Sequence, residues 1–159
     1  MTTIKYRFAN LSDIEQLVEL RVLMQIEVNK YPSESCPPEY LESVRSYFID
    51  SLENQKYASA VALMGDKIVG TAGVCFYQKP PSIAGGTGLV GYVTNVYTRK
   101  DHRGNGIGTN LMKKLNDLAL ELKADKLHLG ATSDGLQIYK AVGYKEPRFV
   151  NLEIKFGHK

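Results

Sequence analysis

The stretch Arg99-Lys100-Asp101-His102-Arg103-Gly104-Asn105-Gly106-Ile107-Gly108-Thr109 decides how the rest of the chain is read. Before it, Leu89 to Thr98 is rich in β-branched and aromatic residues and predicts a strand. After it, Gly106 to Lys123 carries Ile107, Leu111, Met112, Leu115, Leu118, Ala119 and Leu122 at helical spacing and predicts a helix with one apolar stripe. Three glycines at alternate positions are unfavourable at a helix start, since glycine loses the most conformational freedom on ordering. What they permit is close approach of another group to bare backbone. The first N–H groups of a helix have no intrahelical acceptor and lie at the positive end of its dipole, so a phosphate docked there gains hydrogen bonds and a favourable field. Arg103 and Lys100, and more distantly Arg99, add positive charge to the same turn. A pyrophosphate is the guest that suits this pattern.

Register then separates the phosphate loops. A nucleoside-triphosphatase loop needs Gly-x-x-x-x-Gly-Lys-Ser/Thr, and no lysine follows Gly106 or Gly108 in that register. A dinucleotide fingerprint, Gly-x-Gly-x-x-Gly, meets Thr109 when started at Gly104 and Leu111 when started at Gly106. The spacing Arg-x-x-Gly-x-Gly, read as Arg103, Gly106 and Gly108, does fit.

Working outward, strand and helix signals alternate without a composition break, repeat or low-complexity linker, so residues 1–159 read as one domain. Ile4 to Phe8 alternates as a first strand. Ser12 and Glu15 have capping-box spacing before a helix over about residues 12–28, and a second helix is expected from Glu39 to Leu52. Tyr57 to Met64 and Lys67 to Tyr77 read as antiparallel strands joined at Gly65-Asp66. Residues 79–88, with Lys79-Pro80-Pro81 and Gly85-Gly86-Thr87-Gly88, read either as a mobile loop near a ligand site or as a long surface connection. Lys126 to Ala131 is expected as a strand, Asp134 to Val142 as a short helix, and Arg148 to Phe156 as a closing strand.

Composition excludes several classes. No run approaches the ~18 apolar residues of a membrane span, and the N-terminus lacks the apolar stretch of a secretory signal, so a cytoplasmic protein with no membrane partner is expected. Cys36 and Cys75 are too few for a disulfide framework, and the cysteines and three histidines show no chelating spacing, so no metal is expected. Cys75, inside a strand, reads as a small buried hydrophobe, and His128 as a packed or edge residue. The charge of +3 divides unevenly: residues 1–98 hold 8 Lys/Arg against 10 Asp/Glu, and residues 99–159 hold 12 against 7. The C-terminal part suits an anionic partner, and a solvated helical face gives the same count. Nucleic acid is not the expected partner, because basic and aromatic residues are not clustered on one element.

The segment from Val96-Tyr97-Thr98 to Gly108, continuing Thr109-Asn110-Leu111-Met112, closely resembles the acetyl-coenzyme A binding motif of the GCN5-related N-acetyltransferases. Downstream, Gly135-Leu136-Gln137-Ile138-Tyr139-Lys140-Ala141-Val142-Gly143-Tyr144 resembles the second signature of that family, and the resemblance extends more loosely over nearly the whole chain. It implies an α/β fold: a mixed, mostly antiparallel sheet of six to seven strands flanked by about four helices. It also implies transfer of an acetyl group from acetyl-CoA directly to a primary amine of a small molecule or protein, without an acyl-enzyme. By resemblance, the backbone of Val96, Tyr97 and Thr98 binds the pantetheine arm, and Arg103, Gly104, Asn105, Gly106, Ile107, Gly108 and Thr109 bind the pyrophosphate. Tyr139 matches the position that protonates the departing thiolate.

Two departures stand out. Family members often place a glutamate on the central strand, where this chain has Val93-Thr94-Asn95-Val96; Asn95 cannot act as a base, and orients the acceptor or a water or only satisfies backbone. An asparagine that often precedes the tyrosine by seven residues is Thr132 here. Glu27 is a candidate substrate carboxylate or an exposed helical glutamate. The missing strand carboxylate leaves a second reading open, a non-catalytic acyl-CoA-binding regulatory module of the same fold. A homodimer, frequent in that family, is one assembly the resemblance allows.

Overall fold

Alternate residues of Tyr57–Met64 show how the molecule is divided: Tyr57, Val61 and Leu63 enter one apolar cluster, while Ala58, Ala60, Ala62 and Met64 enter another. Two-residue periodicity with both faces apolar is the signature of a strand covered on both sides. This strand is β2 in a computed structural model that describes residues 2–157. Its companions are β1 (Ile4–Phe8), β3 (Lys67–Gln78), β4 (Leu89–Thr98) and β5 (Lys126–His128), and the five lie across the sheet in chain order. The first four pair antiparallel; β5 joins β4 in parallel.

Helices α1 (Ile14–Asn29) and α2 (Pro38–Glu53) pack on the face of Tyr57 and Val61, and α3 (Ile107–Glu121) with α4 (Leu136–Ala141) on the alanine face. Small residues let α3 approach closely: a Cβ at Gly70 would stand 2.7 Å from the Ile107 side chain. Most of the stripe read from the sequence is buried, with Leu111, Met112 and Leu115 fully enclosed, but Leu122 falls just past the end of α3 and is exposed. On the other face Phe48 is 2% exposed and packs its ring at 5.6 Å from Tyr57. Burying one such ring contributes about 1.5 to 3 kcal/mol.

The start of α1 differs from the sequence reading. The capping box is formed by Asn10, which accepts from the Ser12 N–H, and Asp13, which accepts from the Asn10 N–H at 2.9 Å, around a 3-10 turn at Leu11–Asp13. Asp13 outcompetes Glu15 for that duty because its carboxylate also takes two bonds from Arg7 of β1, at 2.7 and 2.9 Å, in a half-buried setting. Burial strengthens a charge-assisted pair.

The expected six to seven strands are five among the described residues. Lys126 to Ala131 shortens to β5, and Arg148–Phe156 is not a strand. Its alternation of Val150, Leu152, Ile154 and Phe156 is strand-like, but a strand requires a neighbour for its backbone bonds and none lies alongside, so these side chains are exposed. Residues 79–88 form a pinned surface connection: Asp125 accepts from the N–H groups of Thr87 and Gly88, each at 2.8 Å, and the Thr87 hydroxyl donates to the Lys123 carbonyl. Those backbone bonds hold the Asp125 carboxyl below its ordinary range.

Candidate functional site

The loop into α3 is built by local chemistry. Arg99 anchors it, its backbone N–H bonded to the Val69 carbonyl and its guanidinium paired with Glu19 at 2.8 Å. A 3-10 turn at Lys100–His102 follows, and the Asn105 side chain donates to the carbonyls of His102 and Arg103. Gly104 and Gly106 then adopt φ of +78° and +72°, where a side chain is strained, and open space surrounds both. The first backbone bond of the helix is Asn110 to Gly106; among the described residues the N–H groups of Ile107, Gly108 and Thr109 have no protein acceptor, and no side chain caps the helix. Three uncapped donors at the positive end of a 15-residue helix, reachable because Gly104 and Gly106 lack side chains, can receive a diphosphate. Gly108 serves packing as well, since a Cβ there would touch Ile138 of α4 at 3.3 Å.

Beside this helix mouth, β4 is open. β5 pairs only with Val90, Gly91 and Tyr92, so the edge of β4 from Val93 to Thr98 has no strand along it among the described residues. On its other side the register with β3 slips between Thr71 and Gly73, so that Asn95 and Val96 oppose the single residue Ala72. Asn95 sits in this bulge at φ +56°. A left-handed residue costs about 1 to 2 kcal/mol, least for Asn and Gly, and its persistence requires surrounding bonds. Asn95 has them: its Oδ1 accepts from Arg21 at 2.7 Å and its Nδ2 donates to the Tyr57 hydroxyl at 2.9 Å. The Tyr57 hydroxyl occupies the space a side chain at Gly73 would fill, and burial pushes that phenol well above its ordinary pKa.

The side chains singled out by sequence divide into two groups. Arg103 and Glu27 are brought together: Arg103 donates to both Glu27 oxygens at 2.7 and 3.0 Å, stacks 5.3 Å over the Tyr97 ring and donates to the Thr98 carbonyl. The guanidinium holds the Glu27 carboxyl below its ordinary range, and Glu27 also accepts from the Tyr97 hydroxyl at 3.2 Å. The Glu27 charge is therefore balanced by Arg103 beside the glycine turn. Val96 and Ile107 face the second core, leaving backbone as what they can offer a ligand. Tyr139, in α4, is half-buried against that core with Tyr144 at 6.1 Å, and burial raises its phenol above the ordinary value, so it keeps its proton through neutral pH. Thr132 is exposed and accepts backbone bonds that begin α4.

A second feature carried no sequence signal. Between α1, α2 and the sheet lies a cleft of about 350 Å³, walled by Tyr40, Tyr47 and Phe48 on α2, Arg21 on α1, and Tyr92, Thr94 and Asn95 on β4. Cys75, on β3, also lines it and meets the Tyr47 hydroxyl at 3.1 Å; it is half-buried rather than enclosed. Burial and that contact push Tyr47 up to about 12. Periodicity placed Arg21 on α1 but could not show what it faces, because its partner Asn95 is 74 positions away. No cluster of His, Cys, Asp or Glu able to hold a metal occurs among the described residues, and no helix there is long and apolar enough to cross a membrane.

The same frame recurs in solved structures. A predicted acetyltransferase with acetyl-CoA from Clostridium acetobutylicum shares 30% identity at a TM-score of 0.82, covering 95% of this chain and 96% of that one. A GCN5-related N-acetyltransferase from Ralstonia eutropha shares 22% identity at 0.76, covering 96% and 99%. An aminoglycoside acetyltransferase from an uncultured soil metagenomic sample, in complex with sisomicin, shares 17% at 0.74, covering 97% of each chain. The last two are likenesses of fold. No curated protein matches the sequence. The acetyltransferase (GNAT) family model matches residues 21–144, a span that begins at Arg21 of the cleft, contains the open edge of β4 and the glycine turn, and ends just beyond Tyr139. With its uncapped helix mouth and splayed strand inside that span, the chain belongs to the acetyltransferase (GNAT) family.

Proposed function

We propose that the protein, in a cytoplasmic setting, transfers the acetyl group of acetyl-CoA directly to a primary amine of a small molecule or protein. The observation that carries this reading is the pairing of three uncapped N–H donors at Ile107–Thr109 with the unpaired edge of β4 beside them. Acetyl-CoA supplies an activated thioester, open to attack at its carbonyl carbon. The Ile107, Gly108 and Thr109 amides receive its diphosphate, mostly by backbone, since Arg103 is engaged by Glu27. The unpaired edge of β4 at Val96, Tyr97 and Thr98, where the Thr98 carbonyl is engaged by Arg103, is suited to the amides of the pantetheine arm and to polarising the thioester carbonyl. Tyr139, protonated at neutral pH, is the donor to the departing thiolate.

Among the described residues no Asp, Glu or His lines the cleft, so the amine enters uncharged or gives its proton to water. The same lack favours a second reading, an acyl-CoA-binding regulatory module. Calorimetry with acetyl-CoA, followed by a thiol-release assay against polyamines, aminoglycosides, amino acids and peptide N-termini, separates the two. Binding with amine-dependent release supports the transferase. Binding without release supports the module, and no binding in the millimolar range removes both.

A further inference from the structure

Four of the six arginines of this chain are matched by carboxylates: Arg7 by Asp13, Arg45 by Glu15 and Glu42, Arg99 by Glu19, Arg103 by Glu27; Arg148, in the exposed tail, lies over the Phe149 ring in water. Arg21 differs. Among the described residues no carboxylate lies within ion-pair distance of it, and its near polar neighbours are two neutral amides, Asn95 and Gln25. Its guanidinium nonetheless lines a cleft whose other walls are aromatic, aliphatic or uncharged polar groups. Desolvating a cation without a counter-charge is costly, and a guanidinium presents donors in a fork that fits a carboxylate. Asn95 accepts one bond at 2.7 Å and the Gln25 carbonyl, in the amide orientation that satisfies both partners, accepts two at 3.0 and 3.2 Å; these fix the side chain and leave the Nε–H and one Nη–H over, side by side. The Tyr40 hydroxyl, buried in the same wall, has no partner either.

We infer that the acceptor is a small amine that itself carries a carboxylate, an amino acid with an apolar or aromatic side chain, whose carboxylate pairs with Arg21. This rests on the transferase reading and names the substrate class of its cleft. Three observations favour that class over a cationic acceptor. Among the described residues the one charge lining the cleft is positive, which repels polyamines and aminoglycosides. Tyr40, Tyr47, Phe48 and Tyr92 offer ring surface for an apolar side chain. A volume of about 350 Å³ is at the small end of the ~300 to 1,000 Å³ typical of ligand sites. The mildly acidic balance of residues 1–98 does not reach this cleft, because none of those carboxylates lines it.

The test is calorimetric, on the full chain saturated with coenzyme A, using L-phenylalanine, L-phenylalaninamide and spermidine as probes on the wild type, Arg21→Gln and Arg21→Lys. A charge-assisted bidentate pair predicts that L-phenylalanine binds at least about tenfold more tightly than its amide. Arg21→Gln should bring the two within about twofold while Arg21→Lys keeps part of the preference, with melting temperature and acetyl-CoA affinity of both variants as the folding control. Equal or tighter binding of the amide or spermidine, no binding of L-phenylalanine, or a preference that survives Arg21→Gln would overturn the assignment. Failure of the two readings is distinguishable. Thiol release driven by cationic amines and indifferent to Arg21 sinks this inference alone. Arg21-dependent binding of the carboxylate with no thiol release sinks the transferase and leaves the anion site standing.

Discussion

The two sides of β4 are built by different means. On the side of α3, the binding elements are neighbours in sequence: a strand edge, a turn and a helix mouth within residues 93–109. On the side of α1 and α2, Arg21 and Asn95 meet in the cleft wall and Asn95 is bonded in turn to the buried Tyr57, by contacts that span 74 and 38 positions. The end proposed for the coenzyme is a contiguous piece of backbone with few side-chain requirements, and the end proposed for the acceptor is a convergence of side chains. Backbone grips a constant ligand; converging side chains can change with the acceptor.

Truncation in the two cores tests whether these sides are independent. Phe48→Ala, on the cleft side, should cost about 3 to 5 kcal/mol and Leu111→Ala, on the α3 side, about 2 to 5, read by denaturant unfolding. If the sides are separate, Phe48→Ala leaves acetyl-CoA affinity within about twofold at temperatures where it remains folded. Tyr139→Phe should lower turnover on the order of 100-fold with acetyl-CoA affinity unchanged; unaltered turnover would remove the acid role. Gly106→Val forces a β-branched residue into φ +72°, and the backbone escapes by moving its N–H groups out of line. Calorimetry should then show acetyl-CoA affinity reduced at least about tenfold, with the helix content of the circular dichroism spectrum kept. The smallest effect is expected where the two sides touch. Glu27→Gln releases Arg103 from an exposed pair worth about 0.2 to 1 kcal/mol, so acetyl-CoA affinity should rise up to about fivefold at low salt and the gain should fade as salt is added. A fall in affinity would mean that Glu27 aims Arg103 rather than competing for it.

What the sequence made legible follows the same division. Element order, the boundaries of β2 and β4 and the turn at Gly104–Gly108 are encoded by residues close in the chain, through two- and 3.6-residue periods and glycine conformation. The bulge at Asn95 was not, since a register slip depends on the partner strand and leaves the apolar pattern of β4 nearly unbroken. Nor was the pairing of Glu27 with Arg103, two residues considered separately and 76 positions apart. The capping box was misplaced by two residues because Arg7, outside the helix, decides which carboxylate is held. The tail over 148–156 misled for the opposite reason: its pattern is local and strand-like, and the edge it would need is absent among the described residues.

The clasp that Asp125 places on residues 87 and 88 has a practical outcome for anyone handling the molecule. The outermost point of that connection is the fully exposed Ile83, while its base is tied by Asp125, by Lys123 and by the Lys79 to Gly88 backbone bond. A protease nick at Ile83 would leave both halves of the polypeptide associated, stitched along the central β3–β4 ladder from Gln78–Leu89 to Gly70–Thr98. The same point is where the gene could be split into two fragments that reassemble on mixing.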